Sequence, residues 1–497
     1  MELTFQQSVC PCLKTLVGQV ENQEQTQEIR LSDGMPDVGR VLGCWGQPLI
    51  RGKEWRSDSV LVSGGVMVWA LYAPEDGTNP RCVDAWIPFQ FKWDLPQTQR
   101  DGTVITNVSL KNMDCRSISA RKLMIRATVS MNAQVMELQD VELYQPEEVP
   151  EDVQLLQVSY PVDIPQEAGE KAFMLEESIA MGEPDQAGKI IGCEMRCSIT
   201  DQKVLADKVV FRGMCWLHLV HQNADGEIQT REQELAFSQF AELDHSFGNN
   251  AQCTVTMLPT GLELDMGEDG ALQVKCGLAA QYVIYDRLLL ELVEDAYSTS
   301  RHVTPVIQEL RLPTRLDCDR QSLSYSEMIP MTASKIVDVS ACWEQPVVRA
   351  VERGAQAQIA AQYQVLYADE NGTLQCVNAR GEEIWEMDSD PSNDIVLTLD
   401  CQHPHGELGG EGVSITGQML TQAVVMGTKP MAMVTKLHIG DAITADPNRP
   451  SLVLRRSGNE RLWDIAKEYG STVQAIREAN DLQDQPLLDQ MLLIPVP

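Results

Sequence analysis

The chain has 497 residues, with 39 Lys plus Arg against 72 Asp plus Glu and a formal net charge of −33. Its length exceeds what one hydrophobic core supports and points to several units of roughly 150 residues. The acidity disfavours nucleic acid and anionic lipid as partners, and no 18-residue apolar run is present to insert in a membrane, since even 276 to 293 is broken by Gln281, Asp286, Arg287 and Glu291.

Residues 1 to 14 carry Glu2, Gln6, Gln7 and Pro11 where an export signal would need a basic start and an apolar run. The expected location is the cytosol of the cell that makes the protein. The 14 cysteines are scattered without repeated close pairing, so they read as reduced, buried small apolar residues.

A repeat organises the body. Gly39-Arg40-Val41-Leu42-Gly43-Cys44 recurs as Gly188-Lys189-Ile190-Ile191-Gly192-Cys193, and Cys44-Trp45-Gly46-Gln47-Pro48 recurs as Cys342-Trp343-Glu344-Gln345-Pro346. Downstream of each lies an apolar strand ending in Asp76-Gly77, Asp225-Gly226 or Asn371-Gly372. Ile359, Ala361, Tyr363, Val365 and Tyr367 alternate with Ala360, Gln362, Gln364 and Leu366, the period-2 pattern of a half-buried strand. By contrast Val66 to Tyr72 is apolar on both faces and fits a central strand. The Asp-Gly and Asn-Gly pairs predict tight type I′ hairpins. A second apolar segment follows in each copy: 123 to 131, 277 to 292 and 419 to 433.

The expected fold is mainly β: three tandem antiparallel β-sandwich-like repeats followed by a small βααβ domain. An acidic, proline-bearing join at 145–152, a proline-rich one at 445–450 and a less marked one at Ser298-Thr299-Ser300 and Pro313 place the units at 1–150, 160–311, 312–446 (divergent) and 451–497.

The body offers little chemistry. His218 and His221 are three apart on a predicted strand and point to opposite faces. Cys401, His403 and His405 alternate near Glu407, a set zinc accepts, but no second pair completes it and Pro404 constrains the backbone. The segment Gly406 to Gly412 lacks the lysine and helix of a phosphate cradle, and 388–394 lacks the glycine and closing glutamate of a calcium loop. The expectation is no enzyme, no catalytic residue, no metal and no cofactor.

In the tail, Leu462, Ile465, Ala466 and Tyr469 form one helical stripe, and Gly470 suits a left-handed C-cap. Ser471, three before Gln474, reads as a capping box opening a second helix. Strands 452–454 and 492–495 flank the pair. These residues, with Leu462-Trp463-Asp464-Ile465-Ala466-Lys467 and the turn Asn480-Asp481-Leu482, resemble a LysM domain, a module known for binding N-acetylglucosamine glycans. The family's Gly-Asp-Thr turn is here Gly458-Asn459-Glu460-Arg461, and Asp489-Gln490 stands where Gly-Gln is common. The resemblance implies a groove between loops 458–462 and 480–488, with Gly458, Asn459, Arg461, Leu462, Trp463, Asn480, Leu482 and Leu488 as contacts for a partner or glycan. Trp463 reads equally as core.

The repeats, with Thr26 to Leu31 followed by Pro36-Asp37-Val38-Gly39-Arg40, resemble the SPOCS domain of endospore-forming bacteria, the third copy having drifted. Tandem SPOCS units ending in LysM resemble the SipL-type spore morphogenesis proteins of clostridia, made in the mother cell and acting at the forespore surface. That resemblance implies an adaptor of spore coat assembly whose tail docks a morphogenetic protein of the basement-layer ATPase type. The alternative is a cell-wall protein binding peptidoglycan N-acetylglucosamine.

Overall fold

The computed structural model describes residues 2–3, 5–56, 58–96, 102–181, 188–268, 270–390, 392–444, 449–483 and 488–496. Most of the expected join at 445–450, and part of the loop 480–488, lie outside them.

The first stretch supplies β1 (Glu2–Leu3), β2 (Phe5–Arg30), β3 (Val38–Trp55), β4 (Ser59–Pro74), β5 (Arg81–Asp94), β6 (Thr103–Ser119) and β7 (Lys122–Pro146). The second supplies β8 (Val153–Ala180), β9 (Lys189–Leu205), β10 (Lys208–Gln222), β11 (Ile228–Glu242), β12 (Gln252–Met266) and β13 (Ala271–Ser298). The third runs through β14 (Arg301–Ile329), β15 (Lys335–Trp343), β16 (Val347–Val351), β17 (Gly354–Ala368), β18 (Leu374–Met387), β19 (Asp394–Cys401), β20 (His405–Gly409) and β21 (Gly412–Ala442). The tail is β22 (Leu452–Arg456), α1 (Leu462–Tyr469), α2 (Val473–Asn480) and β23 (Met491–Pro495).

Each stretch makes two antiparallel sheets. The first gives β2-β7-β6 and β3-β4-β5, and the second repeats the plan as β8-β13-β12 and β9-β10-β11. In the third, β15 and β16 share one edge of β17 while β18 takes the other, and β19 and β20 share one edge of β21. Both interruptions contain a proline, Glu344-Gln345-Pro346 and Gln402-His403-Pro404, which offers no N–H to a ladder. β14 starts at Arg301, ahead of the boundary expected near 311. β1 joins the far end of the chain, pairing Glu2 with His438 and Leu3 with Leu437.

The alternation has a direct packing cause. Along β5, Ile87, Phe89, Phe91 and Trp93 are buried between exposed Pro88, Gln90, Lys92 and Asp94. On β4 one face, Val66, Val68, Ala70 and Tyr72, joins the core of its own stretch, while Trp69 and Leu71 pack into the core of the second. A strand apolar on both faces is thus one wedged between two cores.

Opposite two core phenylalanines the chain uses glycine. Gly64 pairs with Phe89 and Gly213 with Phe237; the ring closes over the bare backbone, and a Cβ on Gly213 would lie 2.4 Å from Phe237 Cζ and 2.2 Å from the Ser198 carbonyl.

The turns differ from expectation. Gly77, Gly226 and Gly372 have φ of 75°, 86° and 77°, but Asp76, Asp225 and Asn371 stay out of the left-handed region. Gly226 N–H donates to the Asn223 carbonyl at 3.0 Å and Gly372 N–H to that of Asp369 at 2.9 Å. These are longer loops closed by a left-handed glycine, the commoner alternative to a two-residue type I′ turn.

The three stretches pack around a common centre. Val141 and Leu143, Leu290 and Leu292, and Met431 and Met433, at corresponding places on β7, β13 and β21, meet in one apolar cluster with Cys10, Cys12, Val162, Ile164, Leu310 and Leu312. Strands β2, β8 and β14 touch pairwise.

Candidate docking site in the tail and a polar contact between stretches

Helix α1 buries Leu462, Trp463, Ile465 and Ala466. It ends at Gly470 (φ 60°), with Ser471 N–H on the Ala466 carbonyl at 2.9 Å and Gly470 N–H on that of Lys467 at 3.3 Å, a Schellman cap. Ser471 is therefore spent closing α1. The N-cap of α2 is Thr472, one residue later than the sequence predicts, its hydroxyl accepting from Ala475 N–H at 3.0 Å.

The tail leans on the second stretch. Trp463 is 7% exposed, and its Nε1 donates to Asp295 Oδ2 at 2.9 Å. Lys467 Nζ reaches both oxygens of Asp295 at 2.8 and 2.7 Å. Tyr297 meets the indole edge-on with centroids 4.8 Å apart and donates to the Ser471 carbonyl at 2.8 Å; burial pushes its phenol up to about 12. Arg461 pairs with Asp464 at 3.2 Å and Glu294 at 3.5 Å, and its hydrogen bond holds the Asp464 carboxyl below the usual range. Burying an indole removes about 150–250 Å² from water, roughly 4–6 kcal/mol at 25 cal/mol per Å².

The other expected groove residues are scattered. Leu462 is fully buried, and Leu482 packs at the edge of the tail's core. Asn480 is a brace: its amide donates to the Ile476 and Leu493 carbonyls at 2.7 and 2.6 Å and its oxygen accepts from Leu493 N–H at 2.7 Å. Asn459, Arg461 and Leu488 are exposed and Gly458 is half-buried. Asp489, where the LysM family commonly has glycine, sits at φ 61° with its N–H on the Ser457 carbonyl at 2.9 Å.

What the sequence does not advertise is the outer face of β22–β23. Leu454 pairs with Leu493, Leu452 with Pro495 and Arg456 with Met491. Cross-strand pairs share a face, and on it Leu452, Leu454 and Met491 are 52%, 64% and 50% exposed.

In the body, the histidines fall into a different grouping from the one the spacing suggests. Cys401 and His403 are separated from exposed His405 by the strand break, and His405 faces Glu407, 3.6 Å away. His403 instead stacks on His218. Asp338 accepts from Trp45 Nε1 at 2.9 Å and sits 2.8 Å from His218 Nε2, joining all three stretches. Arg196 donates to the Cys401 and Gln402 carbonyls at 2.8 and 2.7 Å. His221 takes no part.

Residues 186–265 match the family model described as SipL, SPOCS domain, and residues 459–495 match that of the LysM domain. No curated protein and no solved structure matches the chain. The chain thus combines a SPOCS domain with a C-terminal LysM domain, two non-catalytic binding domains, and the pair fits a sporulation-related protein with a peptidoglycan-binding type of module. Among the described residues no helix is long and apolar enough to cross a membrane.

Proposed function

We propose that the chain is a non-enzymatic adaptor of spore coat assembly in the mother cell, at the forespore surface, docking a coat morphogenetic protein of the basement-layer ATPase type through its tail. The observation that carries this is the exposed apolar face of β22–β23, with Leu452, Leu454 and Met491 each about half exposed or more. Such a face suits a protein partner. The residues that the resemblance assigns to a glycan groove are, by contrast, partly spent inside: Leu462 and Trp463 are buried, and Asn480 braces the Ile476 and Leu493 backbone. The three β stretches (1–150, 160–311 and 312–446 as read from the sequence) form the body that presents the tail at 451–497.

The LysM match and the exposed loop residues Asn459 and Leu488 favour a second reading, an N-acetylglucosamine-binding wall protein. A pull-down from sporulating cells with the full chain and with a chain lacking 451–497, read by mass spectrometry, separates the two. A coat ATPase captured only by the full chain supports docking; an unchanged capture, or retention of the full chain alone on chitin beads, overturns it.

A further inference from the structure

The contact between the second and third stretches holds a set of side chains arranged like metal ligands. Glu194, His218 and Glu232 stand in one row across β9, β10 and β11. His403 reaches them from the break between β19 and β20, its ring 3.5 Å from that of His218, centroid to centroid, with 17° between planes. One ring nitrogen of each histidine and one carboxylate oxygen of Glu232 lie within 4.8 Å of one another, and His218 Nδ1 is 3.9 Å from Glu232 Oε1.

Carboxylates stand behind both rings, as they usually do behind metal-binding histidines, and His403 Nε2 lies 4.0 Å from Asp338 Oδ1. His218 Nε2 faces Asp338 Oδ1 at 2.8 Å and His403 Nδ1 faces Glu194 Oε2 at 3.4 Å. A carboxylate behind each ring selects its tautomer and leaves the other nitrogen's lone pair available. His218 Nδ1, in a side chain only 9% exposed, has no hydrogen-bond partner, a costly arrangement unless something else occupies the lone pair. All three side chains line a cavity of about 490 Å³.

We propose that His218, His403 and Glu232 bind a divalent transition metal of the zinc type, which clamps the third stretch to the second. Two imidazoles and a carboxylate are a donor set this ion favours, with water as a fourth ligand. Tetrahedral donors at such bond lengths lie about 3.4 Å apart, so Glu232 must swing inward and the rings must pivot out of their stack to aim both lone pairs at one ion. Glu232 is 68% exposed and free to move, and the cavity gives the rings room.

The test uses the full chain, stripped with chelator and dialysed against Zn2+ in excess Mg2+. The expected result is one bound zinc, a higher melting temperature, and a tetrahedral d–d band when Co2+ replaces zinc. Glu232→Gln, at an exposed position that does not disturb the fold, and His403→Asn should each weaken zinc binding about tenfold or more. Zinc uptake no greater than that of the doubly substituted chain, or affinity unchanged by either substitution, would overturn the proposal.

Discussion

Trp463 Nε1 and Asp295 Oδ2 are 2.9 Å apart, and this hydrogen bond joins the first helix of the tail to the last third of β13. The same carboxylate takes Lys467, so one acidic side chain of the second stretch holds two residues of α1. A hydrogen bond to a charged acceptor contributes about 1.5–3 kcal/mol. Asp295→Ala should therefore raise hydrogen exchange at the 462–469 amides about tenfold or more, and Asp295→Asn less. Exchange unchanged by both would mean that the tail's own core holds the helix.

A second prediction concerns the left-handed residue at Asp489. Aspartate tolerates φ 61°, whereas a β-branched side chain does not. Asp489→Gly should leave the tail as stable or slightly more so, and Asp489→Val should cost about 1–2 kcal/mol relative to it. Denaturant dependence of exchange at the tail's amides reads both; equal stability of the two variants would contradict the backbone argument.

The glycines opposite Phe89 and Phe237 carry a third. A Cβ at Gly64 would meet the Leu49 carbonyl at 2.2 Å, and one at Gly213 the Ser198 carbonyl at the same distance. Gly64→Ala and Gly213→Ala should each destabilise by about 1–3 kcal/mol, measured as a lower urea midpoint. Gly77→Ala, at a turn open on all sides, acts through its positive φ alone and should cost about 1–2 kcal/mol.

Acid should loosen the turn between β13 and β14. The hydrogen bonds from Arg301, Ser300 and Ser298 hold the Asp152 carboxyl well below its usual range. A carboxyl depressed by folding contributes stability that is present above its ordinary value, about 3.9, and is lost as pH falls through the lower folded value. Stability should therefore decline below about pH 4, by roughly 1 kcal/mol given partial exposure of the pair. In Asp152→Asn that component should vanish, leaving a flatter acid profile; an identical profile would contradict the assignment.

Much of this architecture was legible because its causes are local. The period-2 face of β17, the glycines closing three turns, and the stripe of α1 all act within a few residues. Even there neighbours shift the detail: Ser471 is taken by the Schellman cap, so Thr472 opens α2. The site was less legible because its partners are remote in sequence. Trp463 read equally as surface or core, and Asp295, which decides the matter, lies 168 residues away. His218 and His403 were each weighed against neighbours in sequence, while the contact that pairs them follows from how β9–β11 meets the broken strand β19–β20. The exposed face of β22 was not legible either: Leu452-Val453-Leu454 is an unbroken apolar run that reads as an ordinary strand, and nothing local says that Leu452 and Leu454 stay exposed.

Docking through the tail depends most directly on the outer face of β22–β23. The measurement is capture of the coat ATPase from sporulating cells by the full chain and by a Leu454→Asp, Met491→Asp variant. Both positions are exposed, so the variant keeps the fold of the tail, checked by exchange at α1. Loss of the ATPase with that exchange unchanged is the expected result; undiminished capture by the variant would contradict docking through this face.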